Sequence, residues 1–194
     1  MPLYEVRHAC TLTPSQQDDL ATALTRIHSE LFTTPSLFVN VTFHDISSTP
    51  AYVAGRRKPT NNIRAHVRGG PSRTQKDWNS LSTQVMRAWA DIVPLPQVKR
   101  SVANADAELH MFTILADISG GMEAGFMLPP AGGDVGWLKE NWAAFERKAE
   151  EGDEEFVALV KEVNERKLLE REDGDGGKSA AQRLNEMLGW GDEA

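Results

Sequence analysis

The chain has 194 residues, 40% of them hydrophobic and 25% charged, with a net charge of −7; this is the balance of one soluble globular domain with room for an appendage. Its single cysteine, Cys10, excludes an internal disulfide framework and suits a reducing, cytoplasmic setting. Residues 1–130 carry 12 Lys+Arg and 11 Asp+Glu, whereas residues 131–194 carry 9 and 17, and so acidic a C-terminal segment argues against nucleic acid as a partner.

The chain opens Met1-Pro2-Leu3-Tyr4-Glu5, without the basic and apolar regions of a secretory leader. No apolar run approaches the ~20 residues that span a membrane. A small residue after the initiator predicts removal of Met1, which would leave Pro2 as a free secondary amine. An α-amine titrates near ~8. Burial and nearby cations lower that value, and carboxylates raise it. An N-terminal proline can therefore be tuned as a general acid or base near neutral pH.

Leu3 to His8 alternates like a strand. Thr13, Pro14 and Gln16 give a capping box with proline at the first helical position. Leu20, Leu24, Ile27 and Leu31 then predict a helix over about 14–31. His28 sits at the edge of that apolar face, where a boundary histidine is the plain structural reading. Ser36 to Phe43 reads as a second strand, with Val39, Val41 and Phe43 on one face. A helical crossover would make the two strands parallel.

Ser47 to Pro59 reads as a solvated loop containing Arg56, Arg57 and Lys58. Ile63 to Arg68 is the third strand, with Arg64, His66 and Arg68 on the face opposite Ile63, Ala65 and Val67. Gly69-Gly70-Pro71-Ser72-Arg73 is a turn. A helix over about 74–92 follows, with Trp78, Leu81, Val85, Trp89 and Ile92 on its buried stripe, ended by Pro94 and Pro96. The fourth strand runs over 108–117. The body is thus α+β: a β-α-β repeat, with a four-stranded sheet carrying two helices on one face. The bare face calls for a second copy of the chain.

After the fourth strand, Glu123 stands alone among glycines and apolar residues, either exposed in a loop or desolvated and held toward its neutral form. From Trp137 to about Arg171 the chain reads as charged helix. Trp137, Trp142 and Phe145 can dock onto the body, and Phe156, Leu159, Val160 and Val163 form a stripe. Residues 172–177 read as a Gly-Asp linker and 180–188 as a short amphipathic helix. The division expected is a catalytic body over 1–130 and an acidic helical extension over 131–194 used for docking or partner contact.

Pro2-Leu3-Tyr4, Leu12-Thr13-Pro14-Ser15, Ala23 to His28, the arginines Arg68 and Arg73, and Glu123-Ala124-Gly125-Phe126-Met127-Leu128-Pro129 occur in one order over residues 2–130. That combination resembles the tautomerase superfamily, most closely its cis-3-chloroacrylic acid dehalogenase branch. The resemblance implies a trimer of β-α-β repeats, no cofactor and no metal. It implies Pro2 as catalytic amine, His28, Arg68 and Arg73 as binders of a small carboxylate substrate, and Glu123 as the acid that activates water. Arg64, on the same strand face, could replace Arg68. The assisting tyrosine that the resemblance implies in the fourth strand is missing from Met111 to Leu115. The expected function is tautomerisation or hydration of small 2-oxo or unsaturated carboxylates. The alternative is a catalytically weakened trimer acting as a binding or assembly module. No nucleic acid or membrane partner is expected.

Overall fold

The computed structural model describes residues 1–93 and 107–171. The helix stop at Pro94 and Pro96, the Gly-Asp linker and the helix over 180–188 lie outside the described residues. Strand β1 (Leu3–His8) buries Tyr4 and Val6 completely. Helix α1 (Pro14–Phe32) starts on a full capping box. The Thr13 hydroxyl accepts from the Gln16 N–H at 3.2 Å, and the Gln16 side chain accepts from the Thr13 N–H at 2.9 Å. Two otherwise orphaned donors are satisfied this way, which sets the start of the helix. Leu20, Leu24 and Ile27 face the core. The helix ends at Thr33, in the left-handed region at φ 56°.

The next strand begins later than its apolar pattern predicts. Ser36–Phe38 is a 3₁₀ turn, and β2 covers Asn40–Asp45. The physical reason is tertiary. The Glu162 carboxylate accepts from the Ser36 N–H and hydroxyl, each at 3.0 Å. Phe38 is buried against the C-terminal helices rather than in the sheet. Strand β5 (Asn61–His66), helix α2 (Gln75–Ile92) and strand β6 (Leu109–Leu115) complete the second half. Thr74 and Asp77 form a second capping box at the start of α2.

The sheet order is β2-β1-β5-β6. Strands β1 and β2 are parallel, with Tyr4 opposite Val41, and β5 and β6 are parallel, with Ala65 opposite Ile114. Strands β1 and β5 are antiparallel at the centre, with Tyr4 opposite Ala65. This is the expected pair of β-α-β units. Tyr4, Val6, Ile63 and Ala65 share one core with Leu20, Leu24, Leu81, Val85 and Trp89 of the two helices. The other sheet face carries Glu5, Arg64 and the exposed Met111, with no helix over it among the described residues.

The span read as a solvated loop contains a small exposed hairpin, β3 (Tyr52–Val53) with β4 (Arg56–Arg57). A similar hairpin pairs β7 (Met122–Glu123) with β8 (Phe126–Met127). Its turn residues, Ala124 and Gly125, have φ of 50° and 89°, the doubly positive combination that matches the twist of a tight hairpin. Helices α3 (Asp134–Glu150) and α4 (Glu154–Glu165) then build a second core from Phe38, Leu138, Phe145, Phe156, Leu159 and Val163. Each buried Phe or Leu there contributes about 1.5–3 kcal/mol of transfer free energy. Phe126 joins this core, with ring centroids 4.7 Å from Phe145 and 5.8 Å from Phe156. The extension thus grips the hairpin that carries Glu123.

Candidate active site

The β1 strand brings the chain start into the interior, where Pro2 is buried and its carbonyl accepts from the Asn40 N–H at 3.1 Å. A small cavity of about 10 Å³ lies beside it, lined by Met1, His28, Phe32, Val67, Arg68, Arg73 and Trp78. That is scarcely room for one water, with Met1 forming part of the wall. Burial, with Arg68 next in effect, lowers the pKa of the Met1 amine from 8.0 to about 5, against the opposite pull of Asp134 and Glu123. An amine held here is neutral at pH 7.

His28 and Phe32 lie one helical turn apart on α1 and so face the same way. His28 is not a boundary residue. It is 4% exposed, and its Nδ1 is 2.8 Å from the Tyr4 hydroxyl. Burial and the nearby Arg73 hold its pKa well below the ordinary value, so the ring is neutral. Burial also pushes the Tyr4 phenol far up, which makes Tyr4 the donor. Nδ1 then accepts, and Nε2 carries the proton as a donor. Phe32 stacks tilted on His28 at 4.7 Å and carries the Arg73 guanidinium 4.2 Å above its ring. That cation–π contact fixes Arg73 without using its forked N–H groups. Trp78 lines the cavity as well as packing on the core edge.

The two arginines have different surroundings. The strand alternation stops at His66, and both Val67 and Arg68 turn inward, at 2% and 8% exposure. Arg68 Nη1 donates to the carbonyls of Pro129 at 2.7 Å and Pro130 at 3.1 Å. Its Nη2 donates to Asp134 Oδ1 at 2.6 Å. Arg73 Nη2 is 3.7 Å from Asp134 Oδ2, beyond hydrogen-bonding distance. Arg64 is exposed on the opposite sheet face, away from the cavity. Glu123 Oε1 accepts from Asn40 Nδ2 at 2.9 Å, while its buried Oε2 has no partner. Burial raises the Glu123 pKa, the second of the two readings its apolar setting allowed.

Of the residues expected at one site, His28, Arg68 and Arg73 line this cavity, Pro2 is buried next to Met1 of its lining, and Glu123 acts on the Met1 amine. Sequence reasoning passed over Asp134, Asn40, Tyr4 and Phe32. Asp134 had a faint signal: an acid just after Gly132-Gly133, at the start of a helical run. The turn holding Arg73 is stitched to that point. Ser72 Oγ donates to the Ala131 carbonyl at 2.8 Å, and a Cβ at Gly132 would stand 2.5 Å from Ser72 Oγ. Among the described residues, no three His, Cys, Asp or Glu side chains gather to hold a metal ion, and no helix is long and apolar enough to cross a membrane.

Two solved structures share this fold. The "Crystal structure of N1, a member of cis-3-chloroacrylic acid dehalogenase (cis-CaaD) family" is 24% identical, with a match covering 81% of this chain and 99% of that chain at a TM-score of 0.55. The "F6 fused 4-OT wild type asymmetric trimer" is 17% identical, covering 64% and 94% at a TM-score of 0.50. No curated protein matches the chain. The Tautomerase_3 family model, described as "Putative oxalocrotonate tautomerase enzyme", matches residues 1–143, a stretch that takes in the whole sheet, the Glu123 hairpin and the start of α3. The chain belongs to this tautomerase family.

Proposed function

We propose that the protein is a tautomerase of small 2-oxo or unsaturated carboxylates that uses Pro2 as its base once Met1 is removed. One observation carries this reading: a buried terminal amine of lowered basicity shares a cavity with Arg73, a neutral His28 and two aromatic rings. Loss of Met1 removes part of the cavity wall. The Pro2 nitrogen, one residue along, then meets the same arginines and carboxylates.

The steps follow from charge. The Arg73 fork and the His28 Nε2–H hold the substrate carboxylate. The neutral amine takes the proton of the enol hydroxyl as the carbonyl forms. The resulting ammonium delivers that proton to carbon, which restores the neutral amine and completes the keto product. Charge that moves toward the carboxylate on the way is stabilised by Arg73. Hydration, and dehalogenation by the same route, additionally needs water activated by Glu123, whose free Oε2 suits proton acceptance. The catalytic step should appear only in chains that begin at Pro2. Ketonisation of a small enol acid, followed by ultraviolet absorbance, should scale with the fraction of protein whose intact mass lacks Met1. A rate that does not follow that fraction would rule out Pro2 as the base.

Glu123→Gln separates the two reactions. The amide keeps the shape and can still meet Asn40, but it cannot take a proton from water. Hydration should fall by the ~10²–10⁴-fold typical of a positioned base, with tautomerisation changed only a few fold. Equal loss of both would mean that Glu123 holds the hairpin or tunes the amine instead.

We also propose a homotrimer. The bare sheet face, with Met111 43% exposed, supports assembly, and the fused 4-OT of the same fold is titled a trimer. Native mass spectrometry at micromolar concentration should give three copies; a monomer would refute it.

A further inference from the structure

Asp134 carries the strongest feature that the proposed reaction leaves unused. It is 3% exposed, and its Oδ1 accepts from Arg68 and, at 3.0 Å, from the Thr34 hydroxyl. Its Oδ2 is buried with no hydrogen-bond partner and faces the Arg73 guanidinium across 3.7 Å. A carboxylate of the chain itself therefore already stands between the two arginines that would receive a substrate carboxylate. Arg68 is spent on it and on two backbone carbonyls. Arg73, held on the Phe32 ring, keeps its fork. The three side chains sum to one positive charge, not two.

We propose that Asp134, delivered by the first turn of α3, is the specificity-determining residue of this pocket: it cancels one guanidinium charge, so the site accepts ligands that bring a single negative charge and rejects dianions. The inference rests on the reading of the cavity as a carboxylate site. A second ligand carboxylate beside these arginines would be held near Asp134 in largely dry protein, where like charges disfavour each other by more than the ~1.4 kcal/mol that is tenfold in affinity. The acidic extension thereby sets substrate charge from outside the β-α-β body.

The test compares maleate with maleamate, two ligands of one shape that differ by one charge. Binding is titrated by calorimetry on Met1-free protein, at a pH where both maleate carboxyls are ionised. The wild type should bind maleamate at least about tenfold more tightly than maleate. Asp134→Asn, which keeps the oxygen that accepts from Arg68 but removes the charge, should shift that ratio about tenfold or more toward maleate. Asp134→Glu should restore the wild-type preference, which a merely structural role would not require. A wild type that prefers maleate or binds both equally overturns the inference, whether or not Asp134→Asn folds. An Asp134→Asn protein that binds both ligands in the wild-type ratio overturns it too, while leaving the carboxylate site standing. A wild type that binds neither ligand overturns the inference and the carboxylate-site reading together.

Discussion

Replacing Pro2 by alanine is expected to slow enol–keto conversion by ~10²–10⁴-fold, the range typical of a positioned acid or base. The change still permits Met1 removal and still offers an amine, but a primary one on a freely rotating residue. The Pro2 carbonyl contact to Asn40, at 3.1 Å, is made by the backbone, so the strand start and the fold should persist. Binding of a substrate analogue at Arg73 should change little, which places the loss in turnover rather than affinity. The pH profile tells which way the amine works. Burial and Arg68 depress the Met1 amine at this position; a Pro2 amine in the same surroundings is expected to be lowered likewise, neutral above its pKa, and a base must be neutral. The rate should therefore be flat near neutral pH and fall on the acid side as the amine takes up a proton. A profile that falls on the alkaline side instead, together with the same loss in Pro2→Ala, would make Pro2 an acid. An unchanged rate in Pro2→Ala would end the catalytic reading.

Arg68→Ala is expected to cost about 3–5 kcal/mol of stability, the usual penalty for breaking a buried pair from one side. Folded domains hold only ~5–15 kcal/mol in all, so this variant should melt far below the wild type or fail to fold. The reason is what it leaves behind. Asp134, at 3% exposure, would keep the Thr34 hydroxyl as its hydrogen-bond donor and the more distant Arg73 guanidinium at 3.7 Å, and the Pro129 and Pro130 carbonyls would lose their donor. Those carbonyls anchor the far end of the Glu123 hairpin. Arg73→Ala should behave in the opposite way. It gives up a 3.7 Å pair and a ring contact, so carboxylate binding should drop sharply while the denaturation midpoint moves much less. The double variant Arg68→Ala/Asp134→Ala should recover part of the stability lost in Arg68→Ala, because the uncompensated charge goes with it. An Arg68→Ala protein as stable as the wild type, yet unable to bind carboxylates, would return Arg68 to the ligand-binding role that the family resemblance implies.

The parts of this molecule readable from the chain alone are those whose physics is local. Thr13 with Gln16 caps its helix through atoms three residues apart. The alternation at Leu3–His8 and the stripe of Leu81, Val85 and Trp89 follow from the strand and helix periods. Pro2 could be named because an N-terminal secondary amine is unusual chemistry at a fixed position, whereas His28, a boundary histidine by pattern, joined the site only through the family resemblance. Other features depend on partners far along the chain. Ser36 to Phe38 has a strand's composition, but it turns because Glu162, 126 residues later, takes its donors. Arg68 continues a polar strand face in sequence, yet it swings inward because the Pro129 carbonyl and Asp134 wait there, 61 and 66 residues away. Asp134 shows the difference most plainly. In the sequence it is one acid among many in an acidic extension; buried between two guanidinium groups, it has a charge that cannot be screened by water, and that burial, which only the packing of α3 against the body provides, gives it a role.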